Sequence, residues 1–231
     1  CPRWNDLRGR LTGASARREM KEREAKMTAH RPLRMGIAGA TGMVGRELLE
    51  LLEARDFPIQ QIRLFASRNS AGGHVFFRDR ELVVEDLAEA RAGELDLVFF
   101  SAGGAVAREH APRFAEAGAF VIDNSSAFRD DEAVPLIVPE VNGALLERSP
   151  SRLIANPNCS TIILLLPLAP LHRALGLEEV VVSTYQAVSG AGKRAMDDLI
   201  GQAHAYAQCE EEIARFFDRP IFLNLIPRIG E

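Results

Sequence analysis

Leu33-Arg34-Met35-Gly36-Ile37-Ala38-Gly39-Ala40-Thr41-Gly42-Met43-Val44-Gly45-Arg46-Glu47-Leu48-Leu49-Glu50-Leu51-Leu52 decides the fold class of this chain. Leu33 to Ala38 reads as a first strand. The residues after the glycines place Val44, Leu48, Leu51 and Leu52 on one face at helical spacing. The glycines therefore lie where a buried parallel strand turns into its crossover helix. Phosphates dock at such a turn, because glycine lets the backbone approach closely and a helix start offers N–H donors to an anion. The spacing is GxxGxxG rather than GxGxxG, and an ordinary glycine-rich turn is the competing reading. Strand and helix in register favour a dinucleotide site at Gly39, Thr41, Gly42, Met43 and Val44.

Working outward, Gln61 to Ala66 reads as a second buried strand, followed by Ser67-Arg68-Asn69-Ser70. An NAD site carries an acidic residue at this point, and none is present. Hydroxyls with a guanidinium suit the additional phosphate of NADP, although a solvated loop beside Ala71-Gly72-Gly73 fits as well. Leu95 to Phe100 and Phe120 to Ile122 continue the pattern of continuous apolar strands. Gly103-Gly104 marks a further point of close approach.

Asn156-Pro157-Asn158-Cys159-Ser160-Thr161 stands between the apolar runs Leu153 to Ala155 and Ile162 to Leu166. Strand, tight turn and helix put Cys159 in a first helical turn, where the dipole favours thiolate over thiol. Inert packing is the alternative for a single cysteine.

With Gly39-Ala40-Thr41-Gly42, Ser67 to Gly72, Asp123-Asn124-Ser125-Ser126-Ala127-Phe128-Arg129, Val138-Pro139-Glu140-Val141-Asn142, Asn156 to Thr161 and Gln186-Ala187-Val188-Ser189-Gly190-Ala191-Gly192 in order, the chain resembles the aspartate-semialdehyde dehydrogenase family from about Leu33 to its last residue. The resemblance implies that Cys159 attacks the acyl phosphate of aspartyl phosphate, expels phosphate and forms a thioester. NADPH then reduces the thioester to aspartate semialdehyde, on the branch leading to lysine, threonine and methionine. It also implies a homodimer formed through the second half of the chain.

Each implied role has a physical counterpart. Arg129 looks like the substrate-phosphate ligand, with a salt bridge to Asp130 or Asp131 as the alternative. Gln186 is expected to close a strand, Val180 to Tyr185, and to orient the acyl group; it could equally cap that strand. Asn158 is a candidate to hold the oxyanion, or to form an Asx turn after Pro157. Ser189 and Gly190 are expected near the nicotinamide, or as the start of a helix over Lys193 to Ala207. The sequence points to no metal ligands.

The resemblance places the family's acid/base histidine and its carboxylate-binding arginine beyond Gly230-Glu231. The chain is accordingly read as C-terminally truncated, with activity impaired by about a hundredfold or more. His30, His74, His110, His172 and His204 are poor substitutes. Met27 and Met35 are candidate natural starts, since residue 1 is cysteine.

The expected organisation is α/β: a charged or disordered tail over residues 1–30, a Rossmann-like NADP domain over 31–158, and an incomplete α+β catalytic and dimerisation domain over 159–231. A net charge of −4 leaves no basic surplus for nucleic acid. Hydrophobic content of 47% and charged content of 26% are those of an ordinary globular protein. Its 3 cysteines, with no CxxC pair, fit a reducing cytoplasm. No membrane span is expected, and the apolar stretch Ile162 to Leu171 is read as broken by Pro167 and Pro170. N-acetyl-glutamyl-phosphate reductase, whose motif carries glycine where Asn158 stands, and a catalytically idle relative serving as a binding partner are the rival functions.

Overall fold

A computed structural model describes residues 31–211 and 213–227. The segment read as a tail, 1–30, and the terminal Gly230-Glu231 lie outside them. The first half is a seven-stranded sheet made of β1 (Leu33–Ala38), β2 (Ile59–Ala66), β3 (His74–Phe77), β4 (Arg80–Asp86), β5 (Leu97–Phe100), β6 (Phe120–Asp123) and β7 (Leu153–Ala155). Its spatial order is β3-β4-β2-β1-β5-β6-β7, and every pair is parallel except the β3–β4 hairpin. Without the hairpin's outer strand, this is the doubly wound dinucleotide order, which reverses direction between β1 and β5.

Helices α1 (Met43–Ala54) and α2 (Gly104–Glu116) cover opposite faces of the sheet. One face buries Met35, Ile37, Leu64 and Val84 with Leu49 and Leu52 of α1. The other buries Phe65, Phe100, Val98 and Val121 with Ala107, Ala111 and Phe114 of α2. Phe114 is the hub of this second cluster, with ring centroids 5.8 Å from Phe65 and 5.6 Å from Phe100. Because side chains alternate across a strand, Leu64 and Phe65 serve different cores from adjacent positions of β2.

At the edge where the parallel strands begin, Asp96 accepts hydrogen bonds from the Arg34 backbone N–H at 2.9 Å, from Arg34 Nη2 at 3.0 Å and from Arg31 Nη2 at 2.9 Å. The side-chain hydrogen bond of Arg34 leads these effects and holds the Asp96 carboxyl at about 2. The margin of the sheet at β7 is closed as well: Ala155 N–H donates to Pro135 O and Ala155 O accepts from Ile137 N, both at 3.0 Å.

The second half contains a short helix α3 (Pro139–Asn142) leading into it, then α4 (Cys159–Leu175) and α5 (Lys193–Ala207). Helix α4 runs through Pro167 and Pro170, contrary to the break read from the sequence; each proline lacks the N–H that would bond the preceding turn, and the flanking residues stay helical. The strand expected over Val180 to Tyr185 is not formed, and Ile221 to Ile226 is likewise outside any strand. Residues 179–187 carry no ladder hydrogen bonds, and Val181 and Tyr185 are 89% and 79% exposed. A β-branched run becomes a strand only beside a partner, and none adjoins it among the described residues. Helix α5 is ordered by polar anchors. Asp198 accepts from the N–H groups of Arg215 (3.1 Å) and Phe216 (2.9 Å), and Gln202 Oε1 accepts from Ile221 (2.8 Å) and Phe222 (3.0 Å). Burial pushes the Asp198 carboxyl up, but these backbone donors outweigh it and leave it below its ordinary value.

Candidate active site

All the parallel strands end on one edge of the sheet, and the residues singled out in the sequence follow those ends. Gly39 follows β1, Ser67 follows β2, Asn124 follows β6 and Asn156 follows β7. From β2 to β7 is four strand spacings, roughly 19 Å.

The turn after β1 is built for close approach. Gly39 has φ +88°, and a Cβ there would stand 2.3 Å from Ser101 O. A Cβ on Gly45 would meet Gly39 O at 2.3 Å, so this glycine lets α1 pack onto the strand. Gly42 caps α1 without any side-chain hydrogen bond, and the first turn holds no acidic residue. Met43 and Val44 are exposed beside it. The first N–H groups of α1 thus have no side-chain acceptor among the described residues, as an anion cradle requires. After β2, Ser67, Arg68 and Asn69 are exposed and no carboxylate follows the strand. The turn is closed by Ser70 N to Ser67 O at 2.8 Å. These residues fit a dinucleotide, and hydroxyls with a guanidinium at the end of β2 fit one that carries a further phosphate.

At the far end of the edge, β7 leads through Asn156, buried Pro157 and Asn158 into α4, whose first residue is Cys159. Asn158 is the N-cap: its Oδ1 accepts from the Ser160 backbone N–H at 3.0 Å and from Ser160 Oγ at 2.5 Å. That is the Asx-type geometry weighed against an oxyanion role, and it leaves the Asn158 Nδ2 group without a hydrogen bond to the described residues. Cys159 Sγ is exposed and lies 3.8 Å from Gln186 Oε1 and 3.9 Å from Asn158 Oδ1. Gln186 Nε2 reaches Ser160 Oγ at 3.3 Å. The fold therefore brings Gln186 to the thiol across 27 positions of sequence, from an extended segment rather than from a strand end. Ser160 is a site residue that the sequence reading did not single out, although it stands next to the thiol in the quoted motif.

Arg129 makes no ion pair with Asp130 or Asp131. Instead its Nε donates to Asn156 O at 2.9 Å and its Nη2 to Asn124 O at 3.3 Å, which ties it to the loop that carries Cys159. Asn156 Nδ2 donates to Asn124 Oδ1 at 2.6 Å, and Asn156 N to Asp123 O at 2.8 Å. The 3₁₀ turn Val188–Ala191, with Ser189 and Gly190, leads into α5 and packs against it.

The histidines are dispersed. His74 begins β3 and lies 3.3 Å from Glu81. His110 is in α2, and His172 Nδ1 accepts from Leu177 N–H at the end of α4. Among the described residues no three His, Cys, Asp or Glu side chains converge to hold a metal, and no helix is long and apolar enough to cross a membrane.

Comparison with known proteins matches residues 34–149 to the semialdehyde dehydrogenase NAD binding domain and residues 168–231 to the semialdehyde dehydrogenase dimerisation domain. An aspartate-semialdehyde dehydrogenase of Aquifex aeolicus is 45% identical over 199 residues, covering 85% of this chain and 58% of that protein. The crystal structure of aspartate semialdehyde dehydrogenase II from Vibrio cholerae complexed with ASA superposes with a TM-score of 0.83 at 41% identity, covering 87% of this chain and 60% of the other. A Candida albicans aspartate semialdehyde dehydrogenase with NADP gives 0.52 at 29% identity, covering 63% of this chain and 48% of the other. The chain thus spans about three-fifths of the length of the first two. Since the first domain match takes in half of the sequence and the second begins within the helix that Cys159 opens, the chain belongs to the semialdehyde dehydrogenase family.

Proposed function

We propose that this chain carries the cofactor site and the nucleophile of an NADP-dependent aspartate-semialdehyde dehydrogenase. The reaction converts aspartyl 4-phosphate to aspartate 4-semialdehyde and phosphate, in the biosynthesis of lysine, threonine and methionine. The observation that carries the reading is an exposed Cys159 thiol at a capped helix start, 3.8 Å from Gln186 Oε1, on the same sheet edge as the glycine turn. Relatives named for this activity support the choice of substrate.

In the proposed sequence, the Cys159 thiolate attacks the acyl carbon, a C–S bond forms, and the C–O bond to phosphate breaks as phosphate leaves. The helix N-terminus stabilises negative charge at the sulfur. Arg129 holds the phosphate group through charge-assisted donors not spent on Asn156 and Asn124. The Gln186 amide orients the acyl group against the sulfur, and Asn158 Nδ2 is the donor available to the oxyanion. A bound NADPH would supply the hydride that reduces the thioester. Gly39, Thr41, Gly42, Met43 and Val44 would hold its pyrophosphate, and Ser67, Arg68, Asn69 and Ser70 its adenosine phosphate; Ser189 and Gly190 are assigned to the nicotinamide side. The missing carboxylate after β2 supports NADP over NAD. The match to a dimerisation domain supports a homodimer.

The test is phosphate-dependent formation of NADPH from aspartate semialdehyde and NADP, with acylation located by mass spectrometry. The expected result is turnover on this aldehyde and an aspartyl adduct on the peptide containing Cys159. Turnover confined to the N-acetylglutamate aldehyde, or an adduct elsewhere, overturns the reading.

A further inference from the structure

Asp123 is the one fully buried carboxylate among the described residues, and the proposed chemistry gives it no task. It ends β6, where burial pushes its carboxyl up against the opposing effects of the Ser125 hydrogen bonds and of Arg129 and Arg108. An acidic group in such a place costs stability unless hydrogen bonds and nearby positive charge offset its lost hydration. Its bonds are local and directional. One oxygen accepts from the Ser125 backbone N–H at 3.1 Å, and the other accepts from Ser125 Oγ at 2.7 Å. Ser125 Oγ in turn accepts from Ala127 N–H at 3.1 Å. The carboxylate therefore winds residues 123–127 into a fixed turn, out of which Phe128 packs against the core and Arg129 emerges.

The same turn is fastened to the thiol loop at three points. Asp123 O takes the Asn156 N–H, Asn124 Oδ1 takes the Asn156 side-chain amide, and Asn156 O takes Arg129 Nε. Turn, arginine and loop form one closed circuit of hydrogen bonds, in which only the Asp123 carboxylate is shielded from water. Asn124, by contrast, is exposed.

We infer that Asp123 is a positioning residue: through Ser125 its carboxylate sets the turn that presents the Arg129 guanidinium to an anion beside Cys159. A neutral residue is a poorer replacement, since one carboxylate oxygen takes the Ser125 N–H and the other its O–H. Asparagine has a single acceptor oxygen for these two donors. The inference rests on the reading of Arg129 as a phosphate ligand, and the test separates the two.

The measurement is the alkylation rate of Cys159 by iodoacetamide with increasing inorganic phosphate, followed by peptide mass spectrometry. Exposed Cys209 in the same molecule serves as the reference. In the unsubstituted protein phosphate protects Cys159 and not Cys209, and Arg129→Ala abolishes the protection. Asp123→Asn raises the half-protecting phosphate concentration about tenfold, with NADPH binding, read by its fluorescence, unchanged. Ser125→Ala, which removes the hydroxyl relay and leaves the carboxylate, produces the same shift and serves if Asp123→Asn does not fold. Protection lost in Arg129→Ala but retained in Asp123→Asn and Ser125→Ala overturns this inference alone. No protection in the unsubstituted protein overturns the role of Arg129 and this inference with it.

Discussion

The two halves of the chain are held together by different means. Over 31–155 two apolar clusters fill both faces of the sheet, and residues such as Phe65, Phe100, Phe114 and Ile37 are wholly enclosed. Over 159–227 the only buried residues described are Ala195, Asp198 and Gln202, and α4, apolar on every side, buries none of its own. A helix apolar all round belongs in an interior. The difference teaches that the position of Cys159 is decided by the first half, through β7 and the Asn156–Asn158 turn. The approach of Gln186 depends on the second half, where side-chain acceptors that take backbone N–H groups stand in place of a core.

Substitutions can break or sharpen that contrast. The largest effect is expected for Cys159→Ala: turnover falls at least about 10⁴-fold, while NADPH binding, measured by fluorescence titration, stays within about twofold of the parent because the glycine turn is untouched. Next is Phe114→Ala, which opens the hub of the aromatic cluster and should cost about 4 kcal/mol in denaturant unfolding. Ile163→Ala on α4, 71% exposed, should stay within about 0.5 kcal/mol. Equal costs at the two sites would refute the division drawn above. Gln186→Ala is expected to lower kcat about a hundredfold with little change in dinucleotide affinity; an unchanged kcat would detach the second half from the chemistry. For Arg68→Ala the ratio of kcat/KM with NADP to that with NAD should fall about tenfold.

A modest loss of stability is expected at the opposite edge of the sheet. Asp96 titrates at about 2 in the folded chain because Arg34 donates to it, against about 3.9 in the unfolded chain. Its contribution is present in full above about pH 4 and is lost as pH falls through about 2. Asp96→Asn should remove about 1 kcal/mol, allowing for solvent screening, and flatten stability against pH in acid. Chemical denaturation at a series of pH values reads both effects.

Strands bounded by glycines or polar turns were legible from the sequence. The apolar runs Leu33 to Ala38 and Leu153 to Ala155 are the observed β1 and β7, and the helical pattern Lys193 to Ala207 is α5. The β3–β4 hairpin was not, because its turn hides its signal. Arg78 and Asp79 have φ of 47° and 59°, the two left-handed residues of a type I′ turn, with no glycine or asparagine to announce them. The run Val180 to Tyr185 misled in the other direction, since composition cannot reveal whether a neighbour is there to pair. At the site, Cys159 and Asn158 follow from their motif. The contact with Gln186 and the circuit through Asn124 and Asn156 join residues remote in sequence, and only the folded backbone brings them into reach.

One detail of the sheet's margin bears on solubility. Beyond β7 the amide and carbonyl of Ala155 are already engaged by Pro135 and Ile137, and Pro157, next but one, has no amide hydrogen to offer. A stray extended peptide finds no vacant ladder on that side. The Cys159 sulfur therefore sits next to a boundary that resists recruiting foreign strands, whereas the opposite border, with Phe76 73% exposed on β3, has no such guard among the described residues.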